Sequence, residues 1–218
     1  MSGRNDPSAA SIAPLADAQL KATADVLARA FCGNPLNCAV NRFSDPARRF
    51  RSNRDSMRAL LPIARQHGRV LVATLNGVVA GGLVASPPGR FPLPAPPLGI
   101  RLRSLMRQGW SVARRWGRVF ETLEALHPPE PHWYLAVLGV DRPAQRRGVG
   151  AALLSRWLAD VDRDPAPAYL ETDREANVRF YGRTGFAPVG ETAVLGVRTW
   201  LMQRPPAFGR RDSLGSRS

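Results

Sequence analysis

Residues 132–161, HWYLAVLGVDRPAQRRGVGAALLSRWLADV, constrain what this chain can fold into more than any other stretch. His132 to Val140 is a near-continuous apolar run, the length of one buried strand. Asp141-Arg142-Pro143 ends it, because proline has no N–H to give a central ladder. Leu153, Leu154, Trp157, Leu158 and Val161 then recur at helical spacing. Between the two, Gln145-Arg146-Arg147-Gly148-Val149-Gly150-Ala151 places two glycines where a backbone must come close to a ligand. The helix start leaves N–H groups unpaired and carries the positive end of the dipole, so the natural guest of this turn is a phosphate.

Two phosphate loops with other owners do not fit. A nucleotide triphosphatase loop needs Gly-Lys followed by Ser or Thr, and the only lysine is Lys21. A dinucleotide fingerprint needs a third glycine where Leu153 stands, although Glu171 is spaced to serve as its ribose acid. The pattern Gln145-x-x-Gly148-x-Gly150 instead resembles the acetyl-CoA pyrophosphate loop of the GNAT superfamily of N-acetyltransferases. Tyr169-Leu170-Glu171-Thr172, then Asn177-Val178-Arg179-Phe180-Tyr181, then Gly185-Phe186 resemble that superfamily's next strand, helix and strand, in the same order.

The rest of the chain fits such a domain. Ile12–Leu15 reads as a first strand, and Asp17 as the cap of a helix bearing Leu20, Leu27 and Phe31 on one face and stopping near Gly33. Asn34 to Phe43 reads as a loop. Ser44-Asp45-Pro46 opens a second helix that His67-Gly68 closes, with Phe50, Met57, Leu60, Leu61 and Ala64 as its apolar face. Arg69–Leu75 and Val78–Ser86 form a hairpin about Asn76-Gly77. After a proline-rich stretch, 87–97, apolar residues at 105, 112, 116, 119, 123 and 126 make a helical stripe interrupted at Gly109, an inserted long helix before the central strand. Its arginines 101, 103, 107, 114, 115 and 118 form the densest basic patch, read first as a solvated face and second as a docking face for an anionic partner. Leu126 to Leu135 and Val197 to Met202 resemble the branch of the superfamily that includes puromycin N-acetyltransferase.

The resemblance implies a GNAT fold of the α/β (α+β) class: a central mixed, mostly antiparallel, splayed sheet flanked by helices. It spans roughly residues 10–206, taken as one domain between disordered tails at 1–9 and 207–218. Composition agrees, since 44% hydrophobic and 22% charged residues in 218 suffice for one substantial core. The net charge of +14 raises nucleic acid as a partner. All basic residues but Lys21 are arginine, a skew that genome composition explains, and no recognition motif accompanies it, so no nucleic-acid partner is expected. Met1–Pro14 lacks a signal-peptide core. Val70–Gly89 has about the 20-residue length of a membrane span, but Asn76-Gly77 and Pro87-Pro88 make it a hairpin. Cys32 and Cys38 are too few for a disulfide framework, and neither they nor His67, His127 and His132 have metal spacing. The expectation is a cytoplasmic, metal-free monomer or homodimer that uses acetyl-CoA as co-substrate.

The resemblance also assigns roles. Backbone at Leu138, Gly139 and Val140, where the superfamily splays its strands and Gly139 suits a bulge, is expected to hold the thioester oxyanion and the pantetheine amide. Backbone from Arg146 through Arg147, Gly148, Val149 and Gly150 to Ala151, with Gln145, is expected to hold the pyrophosphate, the Arg146 or Arg147 guanidinium adding charge. Asn177, one turn before Tyr181, is assigned to the CoA arm. Tyr181 is the candidate general acid: a phenol of pKa about 10 is protonated at neutral pH, where the departing thiolate, by analogy with a thiol near 8.5, needs a proton. The base is less determined, because 132–140 holds no carboxylate; His132, Glu171 or a water chain can serve. An α-amine of pKa about 7.7–8.0 needs little help, whereas a lysine amine near 10.4 needs a real base. The acceptor reading is therefore a small molecule with a weakly basic primary amine, such as an aminonucleoside or antibiotic-like amine. Modification of a protein N-terminus or lysine, and a non-catalytic acetyl-CoA-binding module, are the alternatives.

Overall fold

A computed structural model describes residues 10–207, so the tails expected at 1–9 and 207–218 lie outside the described residues, Ala207 apart. Seven strands form one sheet: β1 (Ser11–Pro14), β2 (Arg69–Leu75), β3 (Val78–Ser86), β4 (Trp133–Val140), β5 (Ala168–Thr172), β6 (Ala187–Val194) and β7 (Val197–Arg204). Their spatial order is β1-β2-β3-β4-β5-β7-β6. Every pair is antiparallel except β4–β5. The β2–β3 turn is the one expected, with Asn76 at φ 50° and Gly77 at φ 76°, the conformation that keeps two-residue hairpins twisted correctly.

The β4–β5 pair determines the architecture of the site. Its register covers only Trp133↔Ala168 and Tyr134↔Tyr169, after which the strands part. A bulge also lies on β4, but at Ala136 and not at Gly139: Val84 faces Val137 and Ala85 faces Leu135, while Gly139 pairs in register with Gly82. The glycine at 139 has another cause. A Cβ there would stand 2.8 Å from Leu27 Cδ2, 3.1 Å from Phe31 Cε2 and 3.2 Å from Ala30 Cβ, so its absence lets the first helix lie directly on β4. Gly139→Ala is expected to cost about 1–3 kcal/mol by overpacking, read as a lower denaturation midpoint with an unchanged m-value. An unchanged midpoint means that α1 yields freely.

That helix, α1 (Leu20–Ala30), departs from expectation at its start. Asp17 does not cap it; a 3-10 turn, Asp17–Gln19, intervenes and Asp17 pairs with Arg65 instead. The segment read as a loop contains a helix, α2 (Pro35–Asn41). Its seven residues are too few to show a period, but Asn34 caps it by accepting from Asn37 N–H (3.0 Å) and Pro35 occupies the first position. Asp173, on the turn after β5, holds the same end by accepting from Leu36 N–H and Asn34 Nδ2, both at 2.7 Å. The next helix, α3 (Pro46–His67), is as read, with the Asp45 carboxylate accepting from Ala47 and Arg48 N–H.

The single inserted helix is in fact two, α4 (Leu98–Gln108) and α5 (Trp110–Glu124). Gly109 at φ 86° serves as the corner, a conformation that only glycine adopts cheaply. Then come α6 (Val149–Val161) and α7 (Glu175–Gly182).

Three apolar clusters fix the layers. Leu153, Leu154, Trp157 and Leu158 of α6 pack with Leu135, Leu170 and Met202 on one face of the sheet. Leu27, Leu61 and Ala64 of α1 and α3 pack with Val72, Val84 and Val137 on the other. The stripe of α5, Val112, Trp116, Val119 and Leu123, packs on Val40 of α2 and Val194 and Leu195 at the β6–β7 turn. The inserted segment therefore ties α2 to the far hairpin on the α1 side of the sheet.

Candidate active site

The glycine-rich turn is held at both ends by side chains. Arg29 at the end of α1 grips Asp141, with Nε and Nη2 at 3.0 and 2.6 Å from Oδ2. Gln145 Nε2 donates to the Val140 carbonyl at 2.9 Å, closing the turn back on β4. Arg146 (φ 60°) and Gly148 (φ 78°) then take left-handed conformations, and α6 starts at Val149. The first helical bond across the turn runs from Ala152 N–H to the Gly148 carbonyl. The N–H groups of Val149, Gly150 and Ala151 therefore have no helical partner. Converging N–H groups, a helix dipole and the exposed Arg146 and Arg147 suit a pyrophosphate. Gly148 is required by its φ. Gly150 is not demanded by the protein, since a Cβ there would sit 3.5 Å from Val140 Cγ2 in ordinary contact.

Past Tyr134, the side of β4 facing β5 has no strand partner, and Ala136 is exposed in the middle of a central strand. Backbone N–H and C=O groups left open there suit the amides of a pantetheine arm, so the chain's residues fit acetyl-CoA: phosphates at the turn, an extended arm along β4. Side chains near this opening divide between the two faces. Tyr181 belongs to the α6 face, 7% exposed and edge-on to Phe180 and Phe186. Its hydroxyl has no hydrogen-bond partner among the described residues, and burial raises its pKa. Asn177 Nδ2 donates to Thr172 Oγ1 at 3.0 Å, fixing α7 to the end of β5.

Tyr134, Tyr169 and Glu171 point to the other face, by the two-residue alternation of strands. There they meet His127 and His132 from the segment before β4. His132 Nδ1 is 2.8 Å from the Glu130 carbonyl, His132 Nε2 is 2.9 Å from His127 Nδ1, and His127 Nε2 is 3.2 Å from Glu171 Oε1. The last contact is an ion-pair distance that is not aligned as a hydrogen bond. Phe91 stacks on His127, ring centroids 3.7 Å apart. Since a carbonyl only accepts, His132 Nδ1 carries a proton, and its neutral Nε2 accepts from His127 Nδ1–H.

Burial, then the nearby Glu171 charge, raise the Tyr134 and Tyr169 hydroxyls, so both keep their protons beside that carboxylate, the Tyr169 hydroxyl donating to the Leu126 carbonyl at 3.4 Å. His132 is pushed the other way. Burial lowers its pKa most and His127 adds to this, against the Glu130 carbonyl and the Glu171 and Glu130 carboxylates. A base with a depressed folded pKa binds fewer protons folded than unfolded, so its contribution to stability is lost as pH falls below about 6.5, the ordinary histidine value. The melting temperature of the wild type is expected to fall between pH 7 and 5, and that of His132→Asn to fall less. Parallel curves would show that His132 is not what responds.

The sequence matches the acetyltransferase (GNAT) family over residues 39–186, from α2 through the turn to the start of β6. The chain belongs to that family. It is an N-acetyltransferase, and the family's co-substrate is acetyl-CoA. A Corynebacterium glutamicum structure described as histone acetyltransferase HPA2 and related acetyltransferase is 25% identical, with a TM-score of 0.70 over 91% of this chain and 97% of that one. Two others share the fold: arylalkylamine N-acetyltransferase 2 of Aedes aegypti, at 13% identity and TM-score 0.57 over 90% and 98% of the two chains, and the ribosomal-protein-S18-alanine N-acetyltransferase of Escherichia coli, at 16% and 0.53 over 90% and 94%.

In this acetyltransferase Arg146–Ala151 form one turn, and Leu138, Gly139 and Val140 lie on the strand that leads into it. Gln145 and Asn177 spend a side-chain donor on Val140 and Thr172. Tyr181 and Glu171 stand on opposite faces of the sheet, which suits one to each partner of a transfer. The sequence reading gives His127, Tyr134 and Tyr169 no role in the site. The alternation of Tyr169 and Glu171 on β5 was visible; the fold back of His127 onto β5 was not. Among the described residues no helix is long and apolar enough to cross a membrane.

Proposed function

We propose that this enzyme transfers the acetyl group of acetyl-CoA to a primary amine of a small molecule by direct attack. The observation that carries the reading is the opening between β4 and β5, with a protonated phenol, Tyr181, on one face and the buried His127–Glu171 pair on the other. Backbone N–H groups of the parted strand, at Leu138–Val140, stabilise the oxyanion as the amine adds to the thioester carbonyl. Tyr181 gives its hydroxyl proton to the sulfur as the C–S bond breaks. Glu171, with His127 and His132, takes the proton that the amine loses, directly or through water. The cofactor residues are Gln145, Arg146, Arg147, Gly148, Val149, Gly150, Ala151 and Asn177. No metal enters the scheme.

A small acceptor is supported by two features. The packing of α5 on α2 and the β6–β7 turn covers the α1 side of the sheet, where Glu171 lies. The central strand also has no carboxylate, which suits a weakly basic amine. CoA release should be measured on a panel of small amines and on peptides presenting an N-terminus or a lysine. Faster turnover with amines of pKa near 8 is expected. A lysine peptide that outpaces every small amine would sink the reading, and binding of acetyl-CoA without release on any acceptor would favour a binding module.

A further inference from the structure

Several arginines that join elements in this protein have acidic partners: Arg29, Arg58, Arg65, Arg69, Arg107 and Arg204 each pair with an aspartate. Four clustered arginines do not. Arg42, just past α2, and Arg114, Arg115 and Arg118 of α5 converge on a cavity of about 250 Å³, completed by Trp110, Ser111 and Leu195. None of these four has an acidic partner among the described residues, and no carboxylate lines the cavity. A neighbouring cleft of about 290 Å³, lined by Arg48, Arg51, Arg54 and Arg107, differs in holding a carboxylate: Asp55 takes Arg107 at 3.1 Å, and Asp45 pairs with Arg51.

Two of the four arginines are also fixed in direction. Arg115 Nε donates to the Val40 carbonyl and Arg42 Nε to the Ala39 carbonyl, the latter at 3.2 Å. Their terminal guanidinium nitrogens have no partner among the described residues. Burial and the charge of Arg42 both depress Arg115, a cost that a bound anion would reverse. Like charges gathered from α5 and the end of α2, two of them fixed in direction and with no carboxylate lining the cavity, are arranged for an external anion. The cavity sits at the first turns of the 15-residue helix α5, where the dipole adds positive potential. Trp110, 70% exposed, offers a flat face at its edge.

We propose that the Arg42–Arg114–Arg115–Arg118 cavity is a binding site for a small, multiply charged phosphate compound, separate from the pyrophosphate turn at Arg146–Ala151. Guanidinium forks pair two N–H groups with two oxygens of one centre, and a di- or triphosphate supplies enough oxygens for several forks in a volume this small. The cavity is bounded by the end of α2, by α5 and by the β6–β7 turn, and its volume of about 250 Å³ favours a compact ligand over an extended polyanion track.

The test uses inorganic pyrophosphate, titrated calorimetrically at low ionic strength into the full-length protein already saturated with CoA, so that the turn before α6 is filled. One site is expected, weakening steeply with salt. Arg114→Gln with Arg118→Gln, both exposed, should weaken it at least about 10-fold, consistent with two lost charge-assisted contacts, without altering the melting temperature. Arg101→Gln with Arg103→Gln, the same charge change on exposed α4, should leave it intact. Absence of pyrophosphate binding, equal loss in both double variants, or a single-stranded oligonucleotide whose affinity climbs with length while pyrophosphate binds weakly would each overturn the proposal. CoA binding is measured first; if it fails, the acetyl-transfer reading fails alone, and the paired variants still report on this cavity.

Discussion

Tyr181→Phe is expected to lower kcat by about 10²–10⁴-fold, the range that a positioned proton donor contributes, while leaving the KM for acetyl-CoA nearly unchanged. The two effects separate because the ring and the hydroxyl do different work. The ring packs edge-on against Phe180 and Phe186 in the α6 core, and phenylalanine keeps those contacts. The hydroxyl has no protein partner among the described residues, so removing it leaves no orphaned donor or acceptor behind. Stability should therefore stay within about 1 kcal/mol, and a melting curve beside the rate measurement distinguishes lost chemistry from lost structure. Burial also raises the Tyr181 pKa, so its proton is held throughout an assay from pH 6 to 9. Any alkaline loss of rate in that window should belong to another group and persist in its shape in the variant. Wild-type kcat in Tyr181→Phe would leave proton delivery to water or to a different acid.

Glu171→Gln should cut kcat/KM by about 10²-fold or more, with the largest loss on strongly basic amines. Only a small fraction of an amine with pKa near 10.4 is neutral at pH 7, whereas an α-amine near 8 is neutral to about one part in ten. An amine that depends on enzyme-assisted deprotonation loses more when the carboxylate goes. A structural effect must be read alongside. Glu171 is buried against His127, and removing one member of a buried pair can cost about 3–5 kcal/mol when the other stays charged. Glutamine keeps the volume and leaves a polar group against the imidazole, so the loss of stability should be smaller than that limit. Rates on matched amines of low and high pKa, with melting temperatures for both proteins, give the answer. A melting temperature that drops while all rates hold would make Glu171 a packing residue of the Phe91–His127–Tyr134 cluster and not a base.

The turn was legible because its signal is local. Two glycines one residue apart, a proline that ends a strand and apolar residues at 3.6 spacing all lie within thirty positions, and each acts through the backbone of its own segment. The Asn76-Gly77 hairpin and the Asp45 cap were legible for the same reason. Errors fell where the cause was distant. Asp17 looked like a helix cap, but Arg65 on α3 takes it. The segment 34–43 looked like a loop, but Asp173 stabilises a short helix there from 139 residues away in the chain. Gly139 was read as a bulge, but α1 lying on β4 requires it. The inserted helix was read as continuous although Gly109 marked its corner, because the apolar stripe runs on through the break.

By itself the sequence determined the strand–turn–helix at 132–161, the Asn76-Gly77 hairpin and the family. Those properties rest on periodicity and on backbone demands within short windows. Only the tertiary structure decided that β4 and β5 part after two residue pairs, that Tyr181 and Glu171 face opposite sides of the gap, and that His127 and His132 join Glu171. It alone also gathered Arg42 with three arginines of α5 around a cavity with no acid. Proximity between segments far apart in sequence is set by how apolar faces pack, and packing leaves no local mark on the polar residues it brings together.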